Sequence, residues 1–227
     1  MTRDEIRAFV LGHTAPAPVP LAPEISLYQA TEMTPLWHAT AAELDRADPA
    51  PFWAFPWAGG QAVARYLLDD PAIVRGRTVL DFGTGSGLVA IAAARAGARR
   101  VVAYDIDPFC AVAVRLNGEL NGVADAIEFR LGDPSTGVGP DLGEFSVALA
   151  GDLFYEKAVA GRMLAWLASL AGRGARALVG DPGRAYSPST GLRELANYVV
   201  ATSPELESAP SLVGTVLEVL PPPDAAR

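Results

Sequence analysis

The sequence is poor in the residues that form disulfides and hold metals. It contains one cysteine, Cys110, and two histidines, His13 and His38. A single thiol cannot form an internal disulfide or a zinc site built from several thiolates, and the two histidines have no third ligand nearby in the sequence. We therefore expect a cytoplasmic protein that holds no metal.

Long apolar runs and excess positive charge are also missing. No stretch approaches the roughly 18 apolar residues of a membrane-spanning helix, and the N-terminus carries scattered charges where a signal peptide has an apolar segment. We expect no membrane association. Lys and Arg number 18 against 26 Asp and Glu, a formal net charge of −8. That charge repels polyphosphate, so no nucleic-acid partner is expected.

Apolar residues, by contrast, are abundant and make up 50% of the 227 positions. This share is sufficient for a buried core, and the length suits one domain with an N-terminal extension. We assign residues 1–57 to a collar or lid that is not an independent domain. Residues 58–227 then form the main domain.

The N-terminal part of the chain contains several predicted elements. Thr2 and Glu5 have capping-box spacing, which predicts a helix over residues 2–12. A proline-rich segment follows and ends that helix. The further predictions are a strand over 24–30, a helix from Thr34 through Leu44, and an amphipathic helix that ends before Pro71.

From residue 77 onward, strands alternate with helices. This pattern is typical of a doubly wound α/β fold with a mostly parallel sheet and helices on both faces. The predicted strands are 77–82, 100–105, 126–130, 145–150 and 175–180, and the predicted helices are 87–96, 108–121 and 155–170. After a short predicted helix over 190–197, strands over 198–202 and 212–220 can close the sheet as an antiparallel pair.

The strongest motif is VLDFGTGSGL, where a predicted strand turns into a helix. Its glycines are Gly83, Gly85 and Gly87. They permit positive φ angles and close approach of a cofactor, and open α/β sheets bind ligands in such a crevice. Leu88 replaces the last glycine of the dinucleotide fingerprint G-x-G-x-x-G, and Asp81 before the loop would repel a pyrophosphate. The motif therefore argues against a dinucleotide.

Three carboxylates around this loop suit S-adenosylmethionine (SAM). Asp81 can face its cationic amino and sulfonium groups, and Asp105, at the end of the next strand, can accept both ribose hydroxyls. Asp133, after the third strand, can accept a hydrogen bond from the adenine amino group. For Asp133 and for Asp107, the alternative is a structural role as a turn or helix cap.

The segment VLDFGTGSGLVAIAAARAGARRVVAYDIDP resembles the SAM-binding half of the ribosomal protein L11 methyltransferases, over about residues 77–150. A closer resemblance covers almost the whole chain. LAPEISLYQATEMTPLW, PFWAFPWAGGQAVARYLLD, GDLFYE and GDPGRAYSP are similar to segments of the electron transfer flavoprotein β-subunit lysine methyltransferases. The resemblance implies a seven-stranded, Rossmann-like class I methyltransferase fold that acts on a protein lysine.

The same resemblance maps the family's D-x-x-Y element onto Asp152 and Tyr155. A lysine must be neutral to accept a methyl group, although its free pKa is about 10.4. Asp152 is therefore predicted to dock the incoming ammonium and Tyr155 to orient the amine after deprotonation. The alternative is that Asp152 only caps the helix over 155–170 and that Tyr155 only packs.

Two further regions are predicted to border the site. The residues predicted to roof the cofactor, with Gln61 as a candidate donor or acceptor to the amino-acid end of SAM, lie in PFWAFPWAGGQ and are Trp53, Trp57, Gly59, Gly60 and Gln61. Alternatively, the tryptophans join the collar to the sheet as core residues. Asp181 and Arg184 either shape the substrate channel or pair with each other.

These observations predict a SAM-dependent N-methyltransferase acting on a protein lysine, with the electron transfer flavoprotein β subunit as the first candidate partner. Transfer is expected to be direct and in line, without a covalent intermediate. Three alternatives stay open. They are an L11-type or small-amine methyltransferase, an NAD-dependent oxidoreductase, and a SAM-binding protein without turnover.

Overall fold

The computed structural model describes residues 1–30, 35–36, 50–136, 145–207 and 209–222. Helix α1 (Arg3–His13) begins with the predicted capping box, in which Thr2 and Glu5 each donate a backbone N–H to the other's side chain. Strand β1 (Ala15–Pro18) then pairs antiparallel with β2 (Ser26–Gln29). The proline-rich β1 was not predicted, and its prolines are tolerated because, among the described residues, β1 pairs with β2 alone.

The main domain is built on a seven-stranded sheet. Its strands are β3 (Thr78–Phe82), β4 (Arg100–Asp105), β5 (Ile127–Leu131), β6 (Val147–Gly151), β7 (Arg176–Asp181), β8 (Leu192–Ala201) and β9 (Ser211–Val219). Their order is β5-β4-β3-β6-β7-β9-β8, with β3 to β7 parallel and β9 antiparallel to both of its neighbours. This confirms the doubly wound, mostly parallel sheet and its closing antiparallel pair. The strand order reverses between β3 and β6, which opens a crevice at their carboxyl ends.

Helices cover both faces of the sheet. They are α2 (Ala58–Asp69), α3 (Leu88–Arg95), α4 (Pro108–Leu120), α5 (Lys157–Gly172) and the short α6 (Pro204–Glu207). Val79 and Leu149 pack toward α2 and α3 on one face, whereas Leu80 and Val179 pack toward α5 on the other. Consecutive residues of a strand point to opposite faces, and the central strands β3, β4, β6 and β7 are mostly buried because helices cover both faces. Within the described part of the chain, we find no helix with the length and apolarity needed to span a membrane.

The N-terminal collar packs mainly on α4. Trp53 stacks on Phe109 with ring centroids 5.6 Å apart, and Phe9 of α1 meets both rings edge to face. Asn117 of α4 accepts the backbone N–H of Tyr28 in β2 at 2.7 Å. The collar is thus joined to the main domain by aromatic packing and by hydrogen bonds, and the division after residue 57 stays a prediction.

The prediction of a helix over residues 190–197 is wrong. Residues 192–197 of this segment belong to β8, which pairs with β9 from Leu192 to Ala201. Its leucine, glutamate and alanine residues favour a helix locally, but the hydrogen bonds and side-chain pairs of the ladder outweigh that preference. The helix predicted from Thr34 through Leu44 lies outside the described residues except at Pro35 and Leu36.

Candidate active site

A cavity of about 520 Å³ lies at the carboxyl ends of β3, β4 and β6, beside the point where the strand order reverses. Both its position and its size are typical of ligand sites in open α/β sheets. Several residues with predicted roles line it, namely Trp57, Asp81, Gly83, Gly85, Asp105, Asp107, Asp133, Asp152, Tyr155 and Arg184. The fold therefore brings most of the candidate residues to one cleft.

The glycine-rich loop forms the floor of the cleft between β3 and α3. Gly83 and Gly85 have φ angles of 62° and 52°, and both line the cavity. Gly87 does not line it. A Cβ atom on Gly87 would lie 3.1 Å from a methyl group of Val114, so this glycine allows α3 to begin close to α4. The three glycines thus divide between ligand access and helix packing.

Asp81 lies at the end of β3 and is only 1% exposed. Its Oδ2 accepts hydrogen bonds from the Thr84 hydroxyl at 2.6 Å and from the Ala90 N–H at 3.1 Å. Burial raises the pKa of this carboxyl to about 7, and the nearby Asp105 contributes to the rise. A cationic ligand group beside Asp81 would favour the ionised carboxylate and lower its pKa again. This agrees with the prediction that Asp81 faces the cationic groups of SAM.

Asp105 ends β4 and faces the same cavity. Its two carboxylate oxygens accept the backbone N–H groups of Gly85 at 2.9 Å and Asp107 at 3.0 Å, and burial raises its pKa. These contacts fix the orientation of the carboxylate. Each carboxylate oxygen can accept more than one hydrogen bond, so the pair of oxygens can also accept from a ribose diol.

Asp107 and Asp133 both have the structural contacts that the alternative interpretation expected. Asp107 caps α4 by accepting the Phe109 N–H at 3.0 Å, which confirms its role as a cap. Asp133 accepts the Ser135 N–H at 2.8 Å and forms an ion pair with Arg162 at 2.9 Å. Asp133 also borders the cavity, and its contact with adenine stays a prediction.

Asp152 does not cap the following helix, so that alternative is wrong. The N-cap of α5 is Glu156, whereas Asp152 is buried and has a left-handed φ of 57°. Its Oδ2 accepts the Gly60 N–H at 3.0 Å, and its Oδ1 accepts Nε and Nη2 of Arg184 at 2.9 and 2.5 Å. A left-handed aspartate is unusual, and strained backbone of this kind concentrates at functional sites.

Burial raises the pKa of Asp152 to about 6, although Arg184 acts in the opposite direction. The carboxylate of Glu207 adds to the rise. At neutral pH the buried Asp152 is thus mostly ionised. It has the charge needed to bind an ammonium group.

Arg184 contacts the Asp181 side chain through its backbone N–H alone, so the alternative in which these two residues pair is wrong for the guanidinium. The Arg184 guanidinium reaches Asp152 and Glu207, while the Asp181 side chain accepts backbone N–H groups, from Gly183 at 2.9 Å and from Arg184 at 3.2 Å. Arg184 lines the cleft. Glu207 was missed because no local motif connects it to the distant Asp152.

Three aromatic rings border the cleft near Asp152. Phe52 lies 5.6 Å from Trp57 and 5.5 Å from Tyr155, measured between ring centroids. Phe52 and Tyr155 are 41% and 47% exposed. Trp53, in contrast, is buried in the collar core, so the core interpretation holds for Trp53, and Trp57 lines the cleft. The sequence prediction omitted Phe52, which only its neighbours in space identify.

Gln61 requires a correction. It is buried outside the lining of the cleft, where its Nε2 donates to the Pro56 carbonyl at 2.6 Å and its Oε1 accepts the Leu21 N–H at 3.1 Å. These bonds join α2 to the collar. The side-chain amide therefore holds α2 against the collar and is not directed to the cofactor.

The known proteins to which this chain is similar are methyltransferases. Residues 66–142 match the family model of the ribosomal protein L11 methyltransferases. The electron transfer flavoprotein β subunit lysine methyltransferase of Xenopus laevis is 40% identical over 207 residues, 89% of this chain and 82% of that protein. The protein of the same name from Homo sapiens is 35% identical over 93% of this chain and 81% of its own length.

One solved structure supports the fold. Magnesium protoporphyrin IX methyltransferase from Synechocystis PCC 6803, with bound S-adenosylhomocysteine (SAH), has a TM-score of 0.51 at 21% identity. The match covers 71% of this chain and 81% of that one. This similarity confirms the Rossmann-like architecture expected from the sequence.

Proposed function

The chain belongs to the electron transfer flavoprotein β-subunit lysine methyltransferase family, and on this basis we propose that it methylates a lysine of the electron transfer flavoprotein β subunit. Its methyl donor is SAM. The observation that carries the proposal is the similarity to proteins of that name over most of both chains. The buried Asp152 beside Tyr155 in the cleft supports catalysis over mere SAM binding.

The residues of the cleft fit SAM. Asp81 offers a buried carboxylate to the cationic amino-acid end, and Asp105 offers its oxygens to the ribose. Gly83 and Gly85 line the cleft with positive φ angles and present backbone without a side chain to the ligand. When bound, SAM supplies a methyl group on a sulfonium, and the lone pair of the acceptor nitrogen forms the new C–N bond as the C–S bond breaks.

The other part of the cleft suits a lysine side chain. The rings of Phe52, Trp57 and Tyr155 can enclose the aliphatic chain, and Asp152 can bind the ammonium. After the ammonium loses one proton to solvent, the Tyr155 hydroxyl can hold the neutral amine in line. Alignment and exclusion of water then account for catalysis. The cytoplasmic location expected from the sequence remains part of this proposal.

The first test is to find the methyl acceptor without assuming its identity. The purified enzyme is incubated with methyl-labelled SAM and a lysate of its own host, and labelled proteins are identified by mass spectrometry. We expect one labelled band that maps to a lysine of the flavoprotein β subunit. A labelled ribosomal protein instead would contradict the proposed substrate, and the absence of any labelled protein would contradict protein methylation.

A further inference from the structure

Two buried carboxylates share one guanidinium at the edge of the cleft. Arg184 donates from Nη1 to Glu207 Oε2 at 2.7 Å and from Nη2 to Glu207 Oε1 at 2.9 Å, in addition to its bonds to Asp152. The Glu207 side chain is only 1% exposed. The guanidinium therefore connects the loop after β7 to the last residue of α6 and to Asp152, directly after β6.

Both carboxylates also contact the N-terminus of α2. Gly60 donates its backbone N–H to Asp152, and Ala58 donates its own to Glu207 Oε1 at 3.4 Å. The positive end of the helix dipole favours negative charge at this place. Trp57, the N-cap of α2, places its ring 5.9 Å from the Arg184 guanidinium carbon. The cluster is thus held in one geometry from several sides.

The cluster is short of positive charge. It contains the carboxylates of Asp152 and Glu207 against the single guanidinium of Arg184, and Arg184 is the one lysine or arginine among the described residues that line the cleft. Buried charges are stable when they are paired. A ligand that brings one positive charge would complete the pairing, and a lysine ammonium has that charge.

We propose that Glu207 is a positioning residue for methyl transfer, because it holds Arg184 and so leaves Asp152 available to pair with the ammonium of the acceptor lysine. This inference rests on the proposed function. When the lysine enters, its ammonium takes over contacts with Asp152 while Arg184 keeps its two bonds to Glu207. Without the Glu207 charge, Arg184 would pair with Asp152 alone and compete with the acceptor.

The pH–rate profile distinguishes this positioning role from a purely structural one, because it depends on the charged and titratable groups around Asp152. Arg184 and Glu207 face it directly, α2 contributes only backbone N–H groups, and Tyr155 and Glu156 border the same cavity. Glu207 helps to raise the pKa of Asp152. Removing that negative charge lowers this pKa, so the acidic limb of the pH–rate profile shifts to lower pH.

The experiment compares the wild-type enzyme with Glu207→Gln, using purified flavoprotein β subunit as the acceptor between pH 5.5 and 9. We expect the KM for the acceptor to rise roughly tenfold, because Arg184 then competes with the acceptor ammonium for charge-assisted hydrogen bonds to Asp152. The affinity for SAH is expected to stay unchanged, and the acidic limb to move to lower pH. The matched control is Glu218→Gln, because Glu218 also pairs with two arginines, Arg176 and Arg193, but lies in β9 outside the cleft lining.

A folded Glu207→Gln enzyme with the wild-type KM and the wild-type acidic limb would overturn the inference. If this variant does not fold, Arg184→Lys replaces it. A lysine keeps the charge but cannot donate in parallel to both carboxylates, so the acidic limb is expected to move to higher pH. An unchanged limb in that variant would likewise overturn the inference. Failure of the wild-type enzyme to methylate the subunit would instead overturn the proposed function.

Discussion

Gly59 and Gly180 meet backbone to backbone, so closely that a Cβ atom on Gly180 would lie 1.9 Å from the Gly59 carbonyl oxygen. This contact seats the N-terminus of α2 against the end of β7. It is also what allows the next residue, Gly60, to donate its N–H to Asp152. The glycine pair thus connects the packing of the sheet to the geometry of the active site.

Gly180→Ala is therefore expected to lower both stability and activity. The added methyl group forces α2 away from β7 at a cost of about 1–3 kcal/mol in the free energy of unfolding, which urea denaturation measures. The control is Gly161→Ala in α5, where nothing lies within 4 Å of a new Cβ atom. That variant should be stabilised by roughly 0.5–1 kcal/mol. Equal stability of the two variants would contradict the close packing.

Asp105→Asn is expected to weaken SAH binding. The amide keeps the size of the side chain but loses the charge that the ribose hydroxyls bond to, and such bonds are worth about 1.5–3 kcal/mol, or roughly 10- to 150-fold in affinity. Isothermal titration calorimetry measures the change. Asp125→Asn, at an exposed position outside the cleft lining, should bind SAH like the wild type. Wild-type affinity in Asp105→Asn would remove Asp105 from the cofactor site.

The affinity for SAH is expected to rise with pH through neutrality. The pKa of Asp81 is raised to about 7, so at lower pH this carboxyl is mostly protonated and cannot pair with the amino group of the ligand. Between pH 6 and pH 8 its ionised fraction, and with it the affinity, increases roughly tenfold. Titrations at several pH values test this rise. In Asp81→Asn the rise should disappear, and its persistence there would assign it to another group.

Tyr155→Phe is expected to lower kcat more than it changes the KM for the acceptor. The ring and its contact with Phe52 remain, whereas the hydroxyl that orients the amine is lost, at a cost of about 1 kcal/mol or roughly fivefold in rate. Steady-state kinetics with the β subunit measure both constants. Tyr186→Phe is the control, because Tyr186 is similarly exposed but does not line the cleft. Equal rates in the two variants would exclude a role for the hydroxyl.

Local patterns in the sequence were sufficient to predict most of the fold. The G-x-G-x-G loop and the alternation of strands and helices placed Asp81 and Asp105 correctly at one edge of the sheet. The segment that forms β8 was predicted as a helix over 190–197 because its residues favour a helix and the pairing with β9 is not visible locally.

The parts of the site that the sequence did not reveal depend on contacts between distant residues. Glu207 reaches Arg184 across 23 positions, and Arg184 reaches Asp152 across 32. Gln61 was assigned to the cofactor because it follows an aromatic segment, whereas its amide bonds to the collar. Composition and spacing identify which residue types are available, but not which partner a long side chain selects.

The central claim is tested most directly by methyl transfer to the purified flavoprotein β subunit of the same organism. The enzyme carries Lys157→Arg, which removes its only lysine and hence any labelling of a lysine of the enzyme itself. We predict label on a lysine of the subunit, none on purified ribosomal protein L11, and loss of transfer in Asp152→Asn with SAH binding retained. An enzyme that binds SAH but leaves the β subunit unlabelled, or that labels L11 instead, would contradict the account.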